Sequence, residues 1–338
     1  MLRRLAIRDL RVIAAADLPL APGLNLIQGP NASGKTTVLE AIHLAATGKP
    51  LRGTTAADAI RRGANGAGIQ ATTQTATLSL TLTATTRRVA IDDQPATRAE
   101  AARACPFLLI MPGAQRDFFS EAEARRRALR WAVFHVEPSY APAWMRYARA
   151  LAQRNAALRA GDMATAWALD PILVRDGEVL TAQEAAFCDE WAGALRAVGV
   201  RWGLRYVPGA EGPLQTALLA ARPADSRRGV TSVGPHRSDV ALEDAGERPG
   251  HFASHGQLKM LYLTLRFCQL DVISACTRTA PLVLIDDLRA ELDSEHCHAL
   301  VRALNQRALQ VIATTVDYPP GEFDATFHVE QGRVDKVV

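Results

Sequence analysis

At 338 residues, with 48% apolar and 22% charged side chains, the chain has the length for one large domain or two coupled ones and ample material for a core. No apolar run approaches the roughly 18 residues of a membrane span, and Arg8, Asp9 and Arg11 interrupt the N-terminal stretch, which argues against a signal peptide and for no membrane role. A net charge of +4 permits nucleic-acid binding without showing it, and five scattered cysteines lacking C-x-x-C spacing fit reduced thiols in a cytoplasmic protein without a zinc site.

The opening reads as strands, "LRRLAIRDL", "DLPL" and "GLNLIQG", followed by a Gly-rich loop and the helix "KTTVLEAIHLAATG", closed by Gly48. "ATLSLTLTA" and "RRVAIDD" alternate as half-buried antiparallel strands do, and "CPFLLIMP" has the continuous apolar run of a strand covered on both faces. From about Glu121 the pattern turns helical, with "EAEARRRALRWAVFHV", "PAWMRYARALAQRNAALRAG" and "TAQEAAFCDEWAGALRAVG". Strand signals return in "WGLRYVPG" and "SDVALED". There follow a long helix from "FASHGQLKMLYLTLRFCQL", the strand "PLVLIDD", the helix "SEHCHALVRALNQ", the strand "LQVIATT" and a final "TFHVEQGRVDKVV". An α/β unit interrupted by a helical insertion is expected.

The loop "GPNASGKT", Gly29 to Thr36, fits G-x-x-x-x-G-K-S/T between a strand and a helix. In such a loop backbone N–H groups turn inward around phosphates, Lys35 reaches the β- and γ-phosphates and Thr36 offers its hydroxyl to Mg²⁺. Gly29, Asn31, Ala32, Ser33, Gly34 and Thr37 complete the expected ATP-binding set. Asp286 and Asp287 end an apolar strand. Asp286 suits the waters of a Mg²⁺ ion and Asp287 the polarisation of an attacking water. Asp293, before the next helix, is either a helix cap or a further site residue. Ser254, His255, Gly256 and Gln257 open the long helix and form a second phosphate-facing helix start.

Taken together, "GPNASGKT", "SHGQ" and "LVLIDDLRAELD" resemble the motif set of ABC-type ATPases. That resemblance implies that the Ser254 turn closes over the γ-phosphate held by another subunit, with Asp293 in the loop after the paired acids. The expected fold is therefore α/β, an ABC-type P-loop ATPase head of mixed sheet plus antiparallel strands. Residues 1–115 and 229–338 would form it, with a helical insertion over 116–228.

Longer stretches resemble the RecF family of the SMC-like branch: "LAIRDLR", "VLEAIHLAATGKPLR", "RRRALRWAVFHVEPSY", "VGPHRSDV", "ASHGQLKMLYLTLRFCQ" and "LIDDLRAELD". The resemblance implies a homodimer formed on ATP, binding to double-stranded DNA, weak DNA-dependent ATP hydrolysis, and work with RecR and RecO in loading RecA. Arg11 would then lie at the nucleotide, and Gln115 would stand near the attacking water or in a solvated loop. Arg52, Arg61, Arg62 and Arg237 are candidates for DNA phosphates or for solvated, paired side chains. The stripe in "EARRRALR" is read as a solvated helix face or a DNA contact. His236 is either a packing residue or close to the nucleotide. The sequence departs from the family pattern at "DLRVI", at Ala290, and after "LQVIATT", where Thr314 or Thr315 stands in the switch position of many ABC ATPases. A regulatory or scaffolding ATPase with no DNA role is the alternative.

Overall fold

The computed structural model describes residues 1–53, 55–243, 255–290, 292, 294–307, 309–318 and 321–337. In chain order its elements begin with β1 (Leu2–Leu10), β2 (Ile13–Pro19), β3 (Leu24–Gln28), α1 (Lys35–Thr47), β4 (Gly66–Thr73), β5 (Thr77–Thr83), β6 (Arg87–Ile91), β7 (Gln94–Pro95), α2 (Arg98–Ala104) and β8 (Phe107–Ile110). Next come α3 (Ala114–Ser120), α4 (Ala122–Val136), α5 (Tyr140–Ala160), α6 (Met163–Ala168), α7 (Asp170–Ala197), β9 (Gly203–Val207), α8 (Leu214–Arg228), β10 (Asp239–Glu243) and α9 (His255–Thr277). The chain closes with β11 (Leu282–Ile285), α10 (Ser294–Gln306), β12 (Val311–Thr315), β13 (Ala325–Glu330) and β14 (Arg333–Lys336).

Two compact units result, Met1–Ala114 with Thr279–Val338, and Gln115–Arg278. The first boundary falls beside the expected 115/116. The second does not fall at 228/229, because α9 belongs to the helical unit. The reason is packing. Trp191 of α7 donates its indole N–H to the Leu265 carbonyl at 2.8 Å, and Gln269 donates to the Ala128 carbonyl of α4 at 3.0 Å. The β9–β10 ribbon stays in this unit too, lying against α7 and α4.

The first unit holds two six-stranded sheets, ordered β2-β1-β4-β5-β6-β7 and β14-β13-β3-β12-β11-β8. The former is antiparallel throughout. The latter is parallel except at its β14 edge. Leu5, Ile7, Ile69 and Leu80 from the one sheet, and Ile27, Leu284, Ile312 and Phe327 from the other, form one apolar core with Val38, Leu39 and Ile42 of α1. Helix α1, whose apolar residues meet both sheets, is thereby fixed at its first turn. Gly48 ends it with φ 64°, donating its N–H to the Leu44 carbonyl at 2.7 Å, as expected of a left-handed C-terminal cap.

In the helical unit α7 runs from Asp170, well before the segment that reads as helical in sequence, and packs on α4, α5, α8 and α9. Its buried Glu184 accepts hydrogen bonds from Tyr140 at 2.7 Å, Tyr206 at 2.9 Å and Ser238 at 3.1 Å, and meets Arg130 at 3.3 Å. Four donors around one carboxylate offset the cost of burying it.

Candidate functional site

The parallel sheet puts the ends of β3, β11 and β12 side by side, with Ile27 paired to Thr314 and Ile285 to Ala313. The loop leaving β3 reaches α1 through Ala32 at φ 63° and Gly34 at φ 118°. Gly34 caps the helix in a conformation that a side chain would strain. A cleft of about 570 Å³ opens there. Asn31, Ala32, Gly34, Lys35, Thr36 and Thr37 line one part, and Arg11, Glu40, Arg52, Asp286, Asp287, Thr314 and Val316 line much of the rest. Gly29 and Ser33, also expected at the nucleotide, do not line it. Gly29 gives its carbonyl to Lys35, and Ser33 is turned inward, its backbone carbonyl accepting from Gly332 N–H at 2.9 Å.

Lys35 donates to the carbonyls of Gly29 and Pro30, each at 2.8 Å. Partial burial pulls its ammonium below the usual lysine range, against the attraction of Asp287 and Asp286. The Thr36 hydroxyl donates to the Asp286 carboxylate at 2.9 and 3.2 Å, so the residues assigned to Mg²⁺ meet although 250 positions separate them. Asp286 is buried. Asp287 is exposed in the cleft with φ 53°, a left-handed conformation uncommon for a residue with a side chain.

Arg11 also sits in the cleft with a positive φ of 50°. Its Nε and Nη2 grip Glu40 at 2.9 and 2.7 Å, Nη2 reaches the Arg52 carbonyl at 2.5 Å, and Nη1 donates to the Asp58 carbonyl. Hydrogen bonding to Glu40 raises the guanidinium pKa further. Glu40 is itself buried on α1 and accepts from the Leu51 N–H at 3.1 Å. The sequence reading overlooked Glu40. A lone carboxylate within the apolar "VLEAIHLAA" was the available signal, since such a group must find a partner.

The two threonines expected at the switch position face different ways. Thr314 points into the site but is bonded to the paired acids, whereas the Thr315 hydroxyl faces away and donates to the Asp317 carbonyl at 3.2 Å. The next side chain at the cleft is Val316, which is apolar and half exposed.

Other expected residues fall as follows. Ser254 and Asp293 lie outside the described residues. The backbone of His255 begins α9, with Gly256 and Gln257 in its first turn. Gln115 is buried on α3, so a solvated loop position is excluded for it. Arg52 lines the cleft, Arg61 is ion-paired to Asp9 at 2.7 Å, and Arg62 and Arg237 are exposed.

Three of the four arginines in the α4 stripe are not solvated, whereas Arg127 is exposed. Arg125 holds Asp239 through two 2.8 Å bonds, Arg126 donates to the Ser238 carbonyl at 2.8 Å and Arg130 to the Pro235 carbonyl at 2.9 Å. These side chains clamp the "GPHRSD" turn within the helical unit. His236 packs there, bonded to the Tyr147 hydroxyl at 2.7 Å and the Thr231 carbonyl at 3.1 Å. Burial, reinforced by Arg237, Arg130 and Arg126, lowers its pKa to about 4.

The RecF/RecN/SMC N-terminal domain model matches residues 1–322. A DNA replication and repair protein RecF from Xanthomonas axonopodis pv. citri is 35% identical over 98% of this chain and 97% of its own length. One from Pseudomonas putida strain F1 is 33% identical, over 98% and 97%. Among solved structures, the recombination mediator protein RecF-ATP superposes with a TM-score of 0.86 at 20% identity, covering 100% of this chain and 97% of the other. An Smc head domain from Pyrococcus furiosus, bound to the C-terminal domain of ScpA, gives 0.59 at 15% identity, covering 99% and 95%. These structural likenesses establish the fold, an ABC-type ATPase head with its helical unit.

Proposed function

Because the chain belongs to the RecF family, within the RecF/RecN/SMC class, we propose that it is an ATP-dependent DNA-binding protein of recombinational repair. In this reading ATP joins two copies, the dimer holds double-stranded DNA at gaps or junctions, and slow, DNA-dependent hydrolysis releases it. RecR and RecO would be its partners and RecA loading its outcome. The single observation that carries the nucleotide part is the Thr36–Asp286 hydrogen bond at the mouth of a phosphate loop.

The residues fit Mg²⁺ as a companion of the nucleotide. Thr36 and Asp286 offer hard oxygen donors, while no group of three or more His, Cys, Asp or Glu among the described residues could hold a metal by itself. That is the pattern of a cation held jointly by protein and phosphate. When bound, Mg²⁺ would neutralise charge on the phosphate oxygens. Lys35, already held over the loop by two carbonyls, would exchange them for phosphate oxygens. Exposed Asp287 would be the acceptor for a proton of the attacking water. Arg11, its plane fixed by Glu40, would contact the nucleotide beyond the phosphates. The Ser254–Gln257 turn of a second copy would cap the γ-phosphate through its helix N-terminus, with Asp293 beside it.

A regulatory ATPase with no DNA role is the second reading. It is favoured by Arg61 being occupied with Asp9 and Arg52 lining the nucleotide cleft, which leaves Arg62 and Arg237 as the members of the DNA set outside that ion pair and that cleft. Fluorescence anisotropy with duplex DNA separates the two. The DNA-clamp reading predicts at least tenfold tighter binding with a non-hydrolysable ATP analogue, weakening steeply with salt. Affinity indifferent to nucleotide would favour the second reading.

A further inference from the structure

We propose that Thr314 is a positioning residue that sets both acids at the end of β11 and thereby the response of the site to Mg²⁺, an inference that rests on the nucleotide reading above. β12, "VIATT", is buried along its whole length. A hydroxyl in such a strand is costly unless it is used, and valine or isoleucine would fill the sheet equally well. Thr314 uses everything it has. Its hydroxyl proton goes to Asp286 Oδ1 at 2.8 Å, its oxygen accepts the Asp287 N–H at 2.9 Å, and its carbonyl accepts the Leu288 N–H at 2.7 Å.

Two consequences follow for the acids. Asp286 Oδ1 receives one hydroxyl from the phosphate loop, Thr36 at 2.9 Å, and one from the sheet, Thr314 at 2.8 Å. The sheet hydroxyl therefore keeps the carboxylate oriented when Thr36 turns to a cation. Asp287 lies in the left-handed region, φ 53°, which costs energy unless its surroundings hold it. Bonds from Asp287 N–H and Leu288 N–H to the same threonine pin that residue at both of its peptide groups. The Thr314 side chain thus sets the rotamer of the first acid and one peptide group of the second, while its carbonyl holds the other.

The test compares Thr314→Val, which keeps the shape and removes the hydroxyl, with Thr314→Ser, which keeps the hydroxyl. Three quantities are read on each folded variant: amide hydrogen exchange of the 285–288 segment without nucleotide, ATP-analogue affinity across a Mg²⁺ titration and in EDTA, and kcat with KM. Thr314→Val should exchange faster, require about tenfold more Mg²⁺ for half-maximal binding, and lose kcat while keeping its affinity in EDTA and its KM. Thr314→Ser should stay close to the wild type in all three. Unchanged exchange or an unchanged Mg²⁺ requirement in Thr314→Val would overturn the proposal. So would a Thr314→Ser protein as impaired as Thr314→Val, since that would assign the effect to the lost methyl. If Thr314→Val does not fold, Thr314→Ser decides by the same criterion. A wild-type protein that binds no nucleotide would instead defeat the nucleotide reading, and the exchange arm would still report whether Thr314 holds the acids.

Discussion

Under the proposed function, Lys35 is the side chain on which nucleotide binding rests most. It reaches over the loop and gives its hydrogen bonds, among the described residues, to two backbone carbonyls, so its charge is available to a triphosphate. Lys35→Ala should cost about 2–4 kcal/mol of ATP binding, a loss on the order of a hundredfold, with the melting temperature almost unchanged. Isothermal titration calorimetry checks this, and near-wild-type affinity would remove Lys35 from the site. His236 provides a pH test. Its folded pKa of about 4 lies below the ordinary 6.5, so the unfolded chain binds the extra proton between those values. The associated stability is present above pH 6.5 and lost as pH falls towards 4, up to about 3 kcal/mol. Thermal melts from pH 7 to 4 should fall more steeply for wild type than for His236→Gln; parallel curves would contradict the buried neutral imidazole. At this scale motif spacing was enough to single out Lys35, Thr36, Asp286 and Asp287, which share one cleft. It could not reveal which of Thr314 and Thr315 faces the acids. A strand buried on both faces carries no alternation from which to read side-chain direction.

Whole elements show the same division between what patterning specifies and what packing decides. β1, β3, α1, β5, β6, β8, β11 and β12 were legible from alternation, apolar runs and caps. β4 was not, because Gly66 and Gly68 weaken its strand signal, and α8 was obscured by Pro223 within it. The arginines of α4 look like a solvated stripe until the "GPHRSD" turn comes to lie on them, a contact between segments more than a hundred residues apart. That turn depends on Gly234, whose φ is 127° and where a Cβ would stand 2.4 Å from the Tyr147 hydroxyl. Gly234→Ala should therefore strain the backbone and break the Tyr147–His236 bond, destabilising the helical unit by about 2–4 kcal/mol. Chemical denaturation measures this, and a change below about 0.5 kcal/mol would show that the turn is not held as described.

Across the whole molecule, the order of strand and helix patterns anticipated an α/β unit with a helical insertion, but the second boundary lies after α9 and not before β10. Helix and strand periodicities locate elements, whereas unit membership is decided by contacts such as Trp191 to Leu265 that no local pattern encodes. The consequence is functional. The phosphate loop and paired acids belong to one unit, and α9, which begins at His255, belongs to the other. Under the proposed function, ATP bound at the first unit of one copy recruits the second unit of another copy, which gives a twofold assembly with two nucleotides. Sedimentation velocity with and without a non-hydrolysable ATP analogue tests this most directly, on wild type and on Ser254→Arg. Wild type should shift from monomer to dimer only with the analogue, while Ser254→Arg binds the analogue and stays monomeric. A wild type that remains monomeric at saturating analogue, or a Ser254→Arg protein that dimerises as wild type does, would contradict the account.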